Sequence, residues 1–288
     1  MSNMSSSLPV DPGGALTRIS EVPDWILPTA SELYKRRKDI QTVFKKVSEL
    51  FGRKTIVFLG MKGVGKTVLL DYVTGKAYDR GYSPPMTSTK IEEGREGRLV
   101  LRVIPGKETR YMLESELFLE ETKVDGVVYV VANGFASIRN ELAKASLIED
   151  QNVDTLERYR ELQLSSELHD LKGVCELLRS SIRRNQKPTW MVVAVTKVDL
   201  FYNFAVEAAK YYSPYGNSQF VKTLHELQHR VGSDNFTWSA LPVCGWLEDF
   251  TWNNQTQGSV LKGEQRDHFE AAFVYLPSMC CSSRSINE

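Results

Sequence analysis

The amino-acid sequence predicts an α/β protein with a doubly wound, mostly parallel sheet that contains one antiparallel hairpin. Three short apolar runs, at 55–59, 127–131 and 191–195, support this prediction because strands buried on both faces read as continuous apolar segments. Stretches of helical pattern separate these runs, and such alternation favours helices on both faces of one sheet. A glycine-rich loop follows the first run directly and indicates a binding site at the end of that strand.

Two further segments complete the predicted domain. Residues 89–104 read as the antiparallel hairpin, because Gly94 and Gly97 bracket a turn and an apolar run follows. A helix is predicted directly after the glycine-rich loop, at 67–77. Residues 133–165 are charged and helical in pattern, so we expect an expanded segment between the second and third apolar runs.

Shifts in composition divide the chain into four parts. Residues 1–30 are rich in Ser, Pro and Gly and predict a flexible arm. Residues 53–277 are predicted to form the α/β domain, and 278–288 a flexible tail. Between arm and domain, 31–52 are predicted as an amphipathic helix whose apolar residues share one face. These are Leu33, Ile40, Phe44, Val47 and Phe51. We expect this helix to pack on its own domain; the alternatives are a membrane surface, a protein partner or self-association through 31–51.

The charge balance and the cysteines argue against several classes of protein. The 288 residues contain 36 Lys and Arg against 36 Asp and Glu, so no whole-chain attraction to nucleic acid or anionic lipid is expected. The four cysteines form neither a disulfide framework nor a zinc ribbon and favour a reducing compartment. The polar start has no signal-peptide pattern, and no window reaches the ~18 apolar residues of a transmembrane segment. We therefore expect a cytoplasmic protein.

The glycine-rich loop GMKGVGKT matches the pattern G-x-x-x-x-G-K-[ST] in full. Glycines let successive backbone N–H groups curl around an anion, and the following helix adds its positive N-terminus. Lys66 is then predicted to reach the β- and γ-phosphates of a nucleotide, and Thr67 to hold Mg²⁺. The alternative is a glycine-rich turn that binds nothing. The predicted phosphate-binding residues are Gly60, Lys62, Gly63, Val64, Gly65, Lys66 and Thr67.

The tetrapeptide TKVD at 196–199 follows the third apolar run and predicts which base is bound. The carboxylate of Asp199 can accept hydrogen bonds from both N1–H and N2–H of guanine. Adenine lacks this pair of donors and would leave the carboxylate unpaired. The stem of Lys197 can lie along the base, and Thr196 completes the predicted base site. The alternative is a charged turn at the end of a strand.

With these two motifs, the sequence resembles the P-loop GTPases of the Ras-like superfamily over about residues 54–250. GMKGVGKT is similar to the first motif of that family and TKVD to the fourth. The resemblance implies a P-loop GTPase-like fold, GTP or GDP as ligand, Mg²⁺ as cofactor and a protein effector or activator as partner. It also implies that Cys244 and Gly245, as the fifth motif, contact the base.

The resemblance also identifies the segments that surround the γ-phosphate. The switch I threonine, which contacts Mg²⁺ and the γ-phosphate, falls in 84–89, with Thr87 as first choice and Thr89 as second. The third motif corresponds to 103–106, where a proline before the glycine is similar to the Arf and signal-recognition-particle-receptor-beta branch. Gly106 retains the N–H that contacts the γ-phosphate. The predicted catalytic residues are Lys66, Thr87 and Gly106, and the predicted metal ligands are Thr67 and Thr87.

The third motif departs from the family pattern at two positions. Val103 replaces the magnesium-linked aspartate, and Lys107 replaces the water-orienting glutamine. Because both side chains are missing, we expect a guanine-nucleotide-binding switch with slow intrinsic GTP hydrolysis. The alternative is a nucleotide-binding scaffold that hydrolyses almost nothing and acts through a partner.

A second motif points to different chemistry. Residues 225–229 read HELQH, and histidines spaced i and i+4 on a helix can bind zinc with the glutamate as a base. A zinc metalloprotease is therefore a remote alternative. Charged Lys222 and Arg230 flank the motif, and no third ligand is evident. A solvated helix surface is the preferred interpretation.

Overall fold

The computed structural model describes residues 54–85, 91–96, 99–105, 124–185, 189–262, 265–266 and 269. Several sequence-predicted features lie outside these residues. They are the arm at 1–30, the helix at 31–52, the tail at 278–288, the two switch threonines Thr87 and Thr89, and Gly106 and Lys107.

Six strands form one sheet: β1 Lys54–Leu59, β2 Glu92–Glu96, β3 Leu99–Val103, β4 Gly126–Val131, β5 Thr189–Val195 and β6 Phe236–Pro242. Their spatial order is β2-β3-β1-β4-β5-β6. Five strands run parallel, and β2 pairs antiparallel with β3. The predicted mostly parallel sheet with one antiparallel hairpin is therefore confirmed. Gly94 lies inside β2, however, and does not bracket the turn as predicted.

Helices connect the parallel strands: α1 Lys66–Val73, α2 Glu141–Glu149, α3 Leu156–Asn185, α4 Val198–Phe201, α5 Ala205–Tyr212 and α6 Gln219–Val231. The helix predicted at 67–77 ends earlier, at Val73, where Thr74 Oγ1 donates a hydrogen bond back to Leu70 O at 2.9 Å. A 3-10 turn, Lys76–Tyr78, follows. Within the described residues, no helix is long and apolar enough to cross a membrane.

The core lies on both faces of the sheet, as the unbroken apolar strands require. In β1, Val57 and Leu59 pack into one buried cluster, whose helical residues come from α3, α4, α5 and α6. Ile56 and Phe58 alternate with them and pack on the opposite face, against α1. All four side chains are at most 1 % exposed. Each face therefore buries every second residue of the same strand, which is the period of a β-strand.

A small second sheet, which the sequence analysis did not predict, contacts the expanded connection between β4 and β5. It consists of β7 Phe250–Trp252 and β8 Gln255–Gln257, paired antiparallel. Trp252 Nε1–H donates to Val153 O at 2.8 Å, and its ring stacks on Tyr159 with centroids 3.9 Å apart. The hairpin is thereby fixed to the start of α3.

Candidate nucleotide-binding site

The predicted phosphate and base motifs meet at one edge of the sheet. Strands β1, β4, β5 and β6 run parallel, so the loops that follow them gather at their carboxyl ends, where open α/β sheets bind ligands. A cavity of about 450 Å³ lies there. Residues from three sequence motifs line it, among them Gly65, Lys66, Thr67, Thr196, Lys197, Asp199 and Gly245.

The loop after β1 depends on glycines because neighbouring backbone approaches it closely. A Cβ at Gly60 would lie 2.1 Å from Val130 O, and a Cβ at Gly63 would lie 2.1 Å from Ser137 O. Both glycines also have positive φ, 132° and 80°, which is costly for other residues. The loop is thus pressed against β4 and the loop that follows it. Its last residue leads directly into α1, whose N-terminus favours an anion.

Lys66 and Thr67, the first two residues of α1, carry the polar side chains of the phosphate loop. The Lys66 ammonium is buried and donates to Gly60 O and to Met61 O, each at 2.7 Å. The hydroxyl of Thr67 donates to Glu92 Oε1 on β2 at 3.4 Å. A cation and a hydroxyl therefore stand side by side at the helix N-terminus, which are the groups that a phosphate with Mg²⁺ requires.

The base motif is tied to the phosphate loop through one hydroxyl. Thr196 Oγ1 lies 2.7 Å from Val64 O and 2.9 Å from Val131 O. Lys197 Nζ donates to Phe135 O at 2.6 Å and to Ser137 Oγ at 2.7 Å. Burial lowers the pKa of Lys197 to about 8, although the nearby carboxylates oppose this.

Asp199, the predicted base-binding carboxylate, lines the cavity and is 1 % exposed. One carboxylate oxygen accepts from Cys244 Sγ at 3.4 Å, and the other accepts from Glu248 N, also at 3.4 Å. Burial raises the pKa of this carboxyl, and the hydrogen bonds it accepts oppose the increase. Each oxygen has two lone pairs, so the same carboxylate can accept from a base as well.

Cys244 and Gly245 follow β6, where the resemblance places the fifth motif. The Cys244 thiol hydrogen-bonds to Asp199 at 3.4 Å, a side-chain contact that the motif alone does not predict. A Cβ at Gly245 would lie 2.9 Å from Val68 Cγ1, so α1 packs directly on this loop. These two residues therefore connect α1 with the carboxylate of Asp199.

The loop after β4, which no sequence motif marks, contacts both the phosphate loop and the TKVD segment. Its backbone N–H groups at Ala132 and Gly134 donate to Glu167 Oε1 on α3 at 3.0 and 3.4 Å. Tyr212 Oη–H donates to the other oxygen of this carboxylate at 2.5 Å. Burial raises the pKa of Glu167, and these hydrogen bonds oppose the shift. Nothing in the local sequence pattern of α3 marks this fully buried glutamate as a partner of the loop.

Other residues of the cavity wall come from distant parts of the chain, and no sequence motif marks them. Arg139 and Lys144 come from the expanded connection, and Phe250 and Trp252 come from the small hairpin. Lys197 Nζ lies 5.2 Å from the ring centre of Phe250. The aromatic alternation Phe-Thr-Trp at 250–252 is the local signal of a strand at this point.

The third motif retains its departure from the family pattern in the structure. Val103 is fully buried in the apolar cluster against α1 and presents no carboxylate to the site. Pro105 lines the cavity. The predicted γ-phosphate contact at Gly106 lies outside the described residues.

The HELQH segment lies on α6, where the preferred interpretation placed it. His225, Glu226 and His229 are exposed, while the opposite face of the helix is buried through residues such as Leu224 and Leu227. The His225 ring packs edge-on against Trp238. Within the described part of the chain, no group of three or more His, Cys, Asp or Glu side chains is placed to hold a metal ion.

Comparison with known proteins adds similarities of fold. No family model and no curated protein matches the sequence. Among solved structures, an Arf-like GTP-binding protein, the small COPII coat GTPase SAR1 from Encephalitozoon cuniculi with GDP, is 16 % identical, with 93 % of this chain and 99 % of that chain covered and a TM-score of 0.37. Signal recognition particle receptor SRb from Chaetomium thermophilum with GDP is 14 % identical. The match covers 68 % of this chain and 91 % of that chain, with a TM-score of 0.40.

A second Chaetomium thermophilum structure, the SRb-GTP/SRX complex, is 12 % identical, with coverage of 67 % and 94 % and a TM-score of 0.42. None of these TM-scores reaches 0.5, so the functional argument depends on this chain's own strands and motifs. Its mostly parallel sheet, with GMKGVGKT after β1 and TKVD after β5, agrees at the level of the fold with the resemblance to the Ras-like P-loop GTPases.

Proposed function

We propose that this protein is a guanine-nucleotide-binding switch that binds GTP and GDP with Mg²⁺ and hydrolyses GTP slowly. One observation carries the proposal: Lys66 and Asp199, predicted independently to bind phosphate and guanine, line the same cavity. In this proposal the backbone of 60–67 cradles the phosphates and Lys66 neutralises their charge. Asp199 accepts from the base, Lys197 lies along it, and Cys244 and Gly245 complete its site.

The groups around Thr67 fit a magnesium ion. Mg²⁺ prefers oxygen ligands, and the Thr67 hydroxyl at the start of α1 donates its proton to a carboxylate at 3.4 Å, which leaves the oxygen lone pairs available for an ion. When bound, the ion supplies positive charge to the β- and γ-phosphate oxygens. Thr87 and Gly106 remain the proposed contacts of the γ-phosphate. A protein effector or activator remains the proposed partner, and the cytoplasm remains the proposed location of this protein.

Slow hydrolysis is proposed because the third motif lacks both an acid and a water-orienting side chain. Val103 is apolar and buried, and Lys107 stands where the family has glutamine. The second candidate, a scaffold that hydrolyses almost nothing, is favoured by the same valine. Single-turnover GTP hydrolysis with and without cell extract separates the two: the switch turns over faster with extract, whereas the scaffold stays inert. Unassisted turnover above ~1 s⁻¹ would contradict both, since unassisted small GTPases are orders of magnitude slower.

Nucleotide extraction and titration test the proposal directly. Purified protein should release GDP or GTP, and it should bind fluorescent GDP far more tightly than ADP. The Asp199→Asn variant should bind GDP about 10- to 100-fold more weakly, because it loses a charged hydrogen-bond acceptor. It should also gain affinity for xanthosine diphosphate. Equal affinity of the wild type for ADP and GDP would show that TKVD does not read the base.

A further inference from the structure

The departure at Val103 leaves one chemical question open. Where the resemblance implies a carboxylate, the end of β3 presents an isopropyl group that is fully buried against α1. Hydrophobic packing explains the valine, but a Thr67-held magnesium ion would then lack an acidic partner from this strand. An acid from another strand can fill that role only if it reaches the same face of the sheet at the same level.

Glu92 on β2 meets both conditions. It pairs with Val103 in the antiparallel register of β2 and β3. Residues that pair across adjacent strands project their side chains on the same face. Glu92 therefore stands beside the position from which the aspartate is missing, one strand further out.

The packing of α1 on β2 confirms which face Glu92 occupies. Gly94, two residues further along β2, shares its face. A Cβ at Gly94 would lie 2.7 Å from Thr74 Cγ2 and 3.0 Å from Leu70 Cδ1. The absence of a side chain there lets α1 lie close against β2. That approach brings the first turn of the helix, with Thr67, to within 3.4 Å of Glu92 Oε1.

The adjacent Glu93 provides a natural comparison. Its carboxylate is directed to Arg102 at 3.5 Å and Arg95 at 3.3 Å, because successive residues of a strand point to opposite faces. The two glutamates are neighbours in sequence and alike in chemistry. Only Glu92 contacts the phosphate loop.

We infer that Glu92 replaces the missing aspartate of the third motif as the carboxylate that positions Mg²⁺ beside Thr67. This inference rests on the proposed function, since it requires bound nucleotide. Glu92 acts as a positioning residue: it orients the Thr67 hydroxyl and adds negative charge next to the ion. Carboxylates of this kind, which orient a ligand from outside, typically change metal affinity 10- to 100-fold when they are removed.

The test measures magnesium dependence of nucleotide binding in the full-length protein. Fluorescent GDP is titrated in EDTA and then over a series of Mg²⁺ concentrations, with wild type, Glu92→Gln and Glu92→Asp. Glu92→Gln keeps the size of the side chain and should raise the Mg²⁺ concentration at half-effect about 10- to 100-fold. GDP affinity in EDTA should change far less than the magnesium midpoint, and Glu92→Asp should recover part of the magnesium effect. Glu93→Gln is the matched control and should behave as wild type.

The outcomes separate the two proposals. If Glu92→Gln shows the same magnesium midpoint as wild type, the inference is overturned while the proposed function stands. Equal loss of GDP affinity in EDTA and in Mg²⁺ would also overturn it, because the residue would then support the loop and not the ion. A wild-type protein that binds no guanine nucleotide under either condition would overturn the proposed function, and this inference with it.

Discussion

At the scale of single residues, the ammonium of Lys66 bridges two carbonyl groups of its own loop. Its hydrogen bonds to Gly60 O and Met61 O, each 2.7 Å long, hold a buried charge at the helix N-terminus. Such a charge is stabilised further by a phosphate, because charge-assisted hydrogen bonds are about twice as strong as neutral ones. The loop thus keeps its cation in position before any ligand arrives.

Substitution of Lys66 should therefore weaken triphosphate binding selectively. Lys66→Ala is expected to raise the dissociation constant of GTP about 10- to 100-fold, because the variant loses one or two hydrogen bonds to a charged group. Isothermal titration with a non-hydrolysable GTP analogue measures it. Lys222→Ala, on the exposed side of α6, is the control for loss of a positive charge. Unchanged affinity in Lys66→Ala would mean that GMKGVGKT is not the phosphate site.

Lys197 should make stability depend on pH. Burial lowers its pKa to about 8, whereas a lysine in the unfolded chain has a pKa of about 10.4. The folded protein therefore binds this proton less tightly than the unfolded chain does. The contribution of Lys197 to the free energy of unfolding is greatest above pH ~10.4 and decreases as the pH falls from there to ~8.

The comparison of wild type with Lys197→Met isolates this effect, since other titrating groups are common to both. The difference in their free energies of unfolding should change in favour of the wild type as pH rises from about 8 to about 10.4. Urea unfolding at a series of pH values measures it. A constant difference across this range would show that the folded and unfolded proteins bind this proton equally.

At the scale of elements, the hairpin of β7 and β8 depends on one indole. Trp252 is 2 % exposed, stacks on Tyr159 and donates to Val153 O. Trp252→Ala should destabilise the protein by about 3–5 kcal/mol, the usual cost of removing a buried aromatic side chain. The urea midpoint measures this cost, with Tyr215→Ala, whose side chain is 97 % exposed, as the control. A shift no larger than that of the control would mean that the hairpin adds no stability.

Local pattern predicted the central strands but not the partnerships between distant elements. β1, β4 and β5 are buried on both faces, so each reads as an unbroken apolar run whatever its neighbours are. Glu92 carries no comparable signal, because its proximity to Thr67 depends on strand register and on the close approach of α1 at Gly94. The contacts of Glu167 with the loop after β4 likewise join residues more than 30 positions apart.

The base site shows the same division between local and distant information. TKVD was identifiable because a strand end and a short motif coincide in sequence. The aromatic ring beside Lys197 was not, since Phe250 follows it by more than 50 residues. Motifs therefore predict candidate ligand contacts from local sequence, whereas the residues that pack against those contacts come from distant parts of the chain.

At the scale of the whole molecule, the predicted helix at 31–52 should protect the domain from aggregation. Its apolar stripe needs a buried location, because burial of each large apolar side chain is worth ~1.5–3 kcal/mol. Only Arg53 separates it from β1, so its own domain is the nearest surface. Removal of residues 1–52 should leave an aggregation-prone core that still binds GDP, as measured by size-exclusion chromatography and titration. A truncated protein that stays monomeric and equally heat-stable would favour a partner instead.

The gathering of the motif loops at one edge of the sheet has a consequence for folding. The residues that line the cavity follow β1, β4, β5 and β6 in the chain. The complete site therefore exists only after these four strands have assembled. Parallel pairings of this kind form slowly, because long loops must close first. Under the proposed function, bound nucleotide stabilises only the assembled sheet, by about 2.7 kcal/mol at a concentration 100 times its dissociation constant. The proposed ligand would therefore shift the folding equilibrium toward the completed sheet without stabilising a sheet that lacks one of these strands.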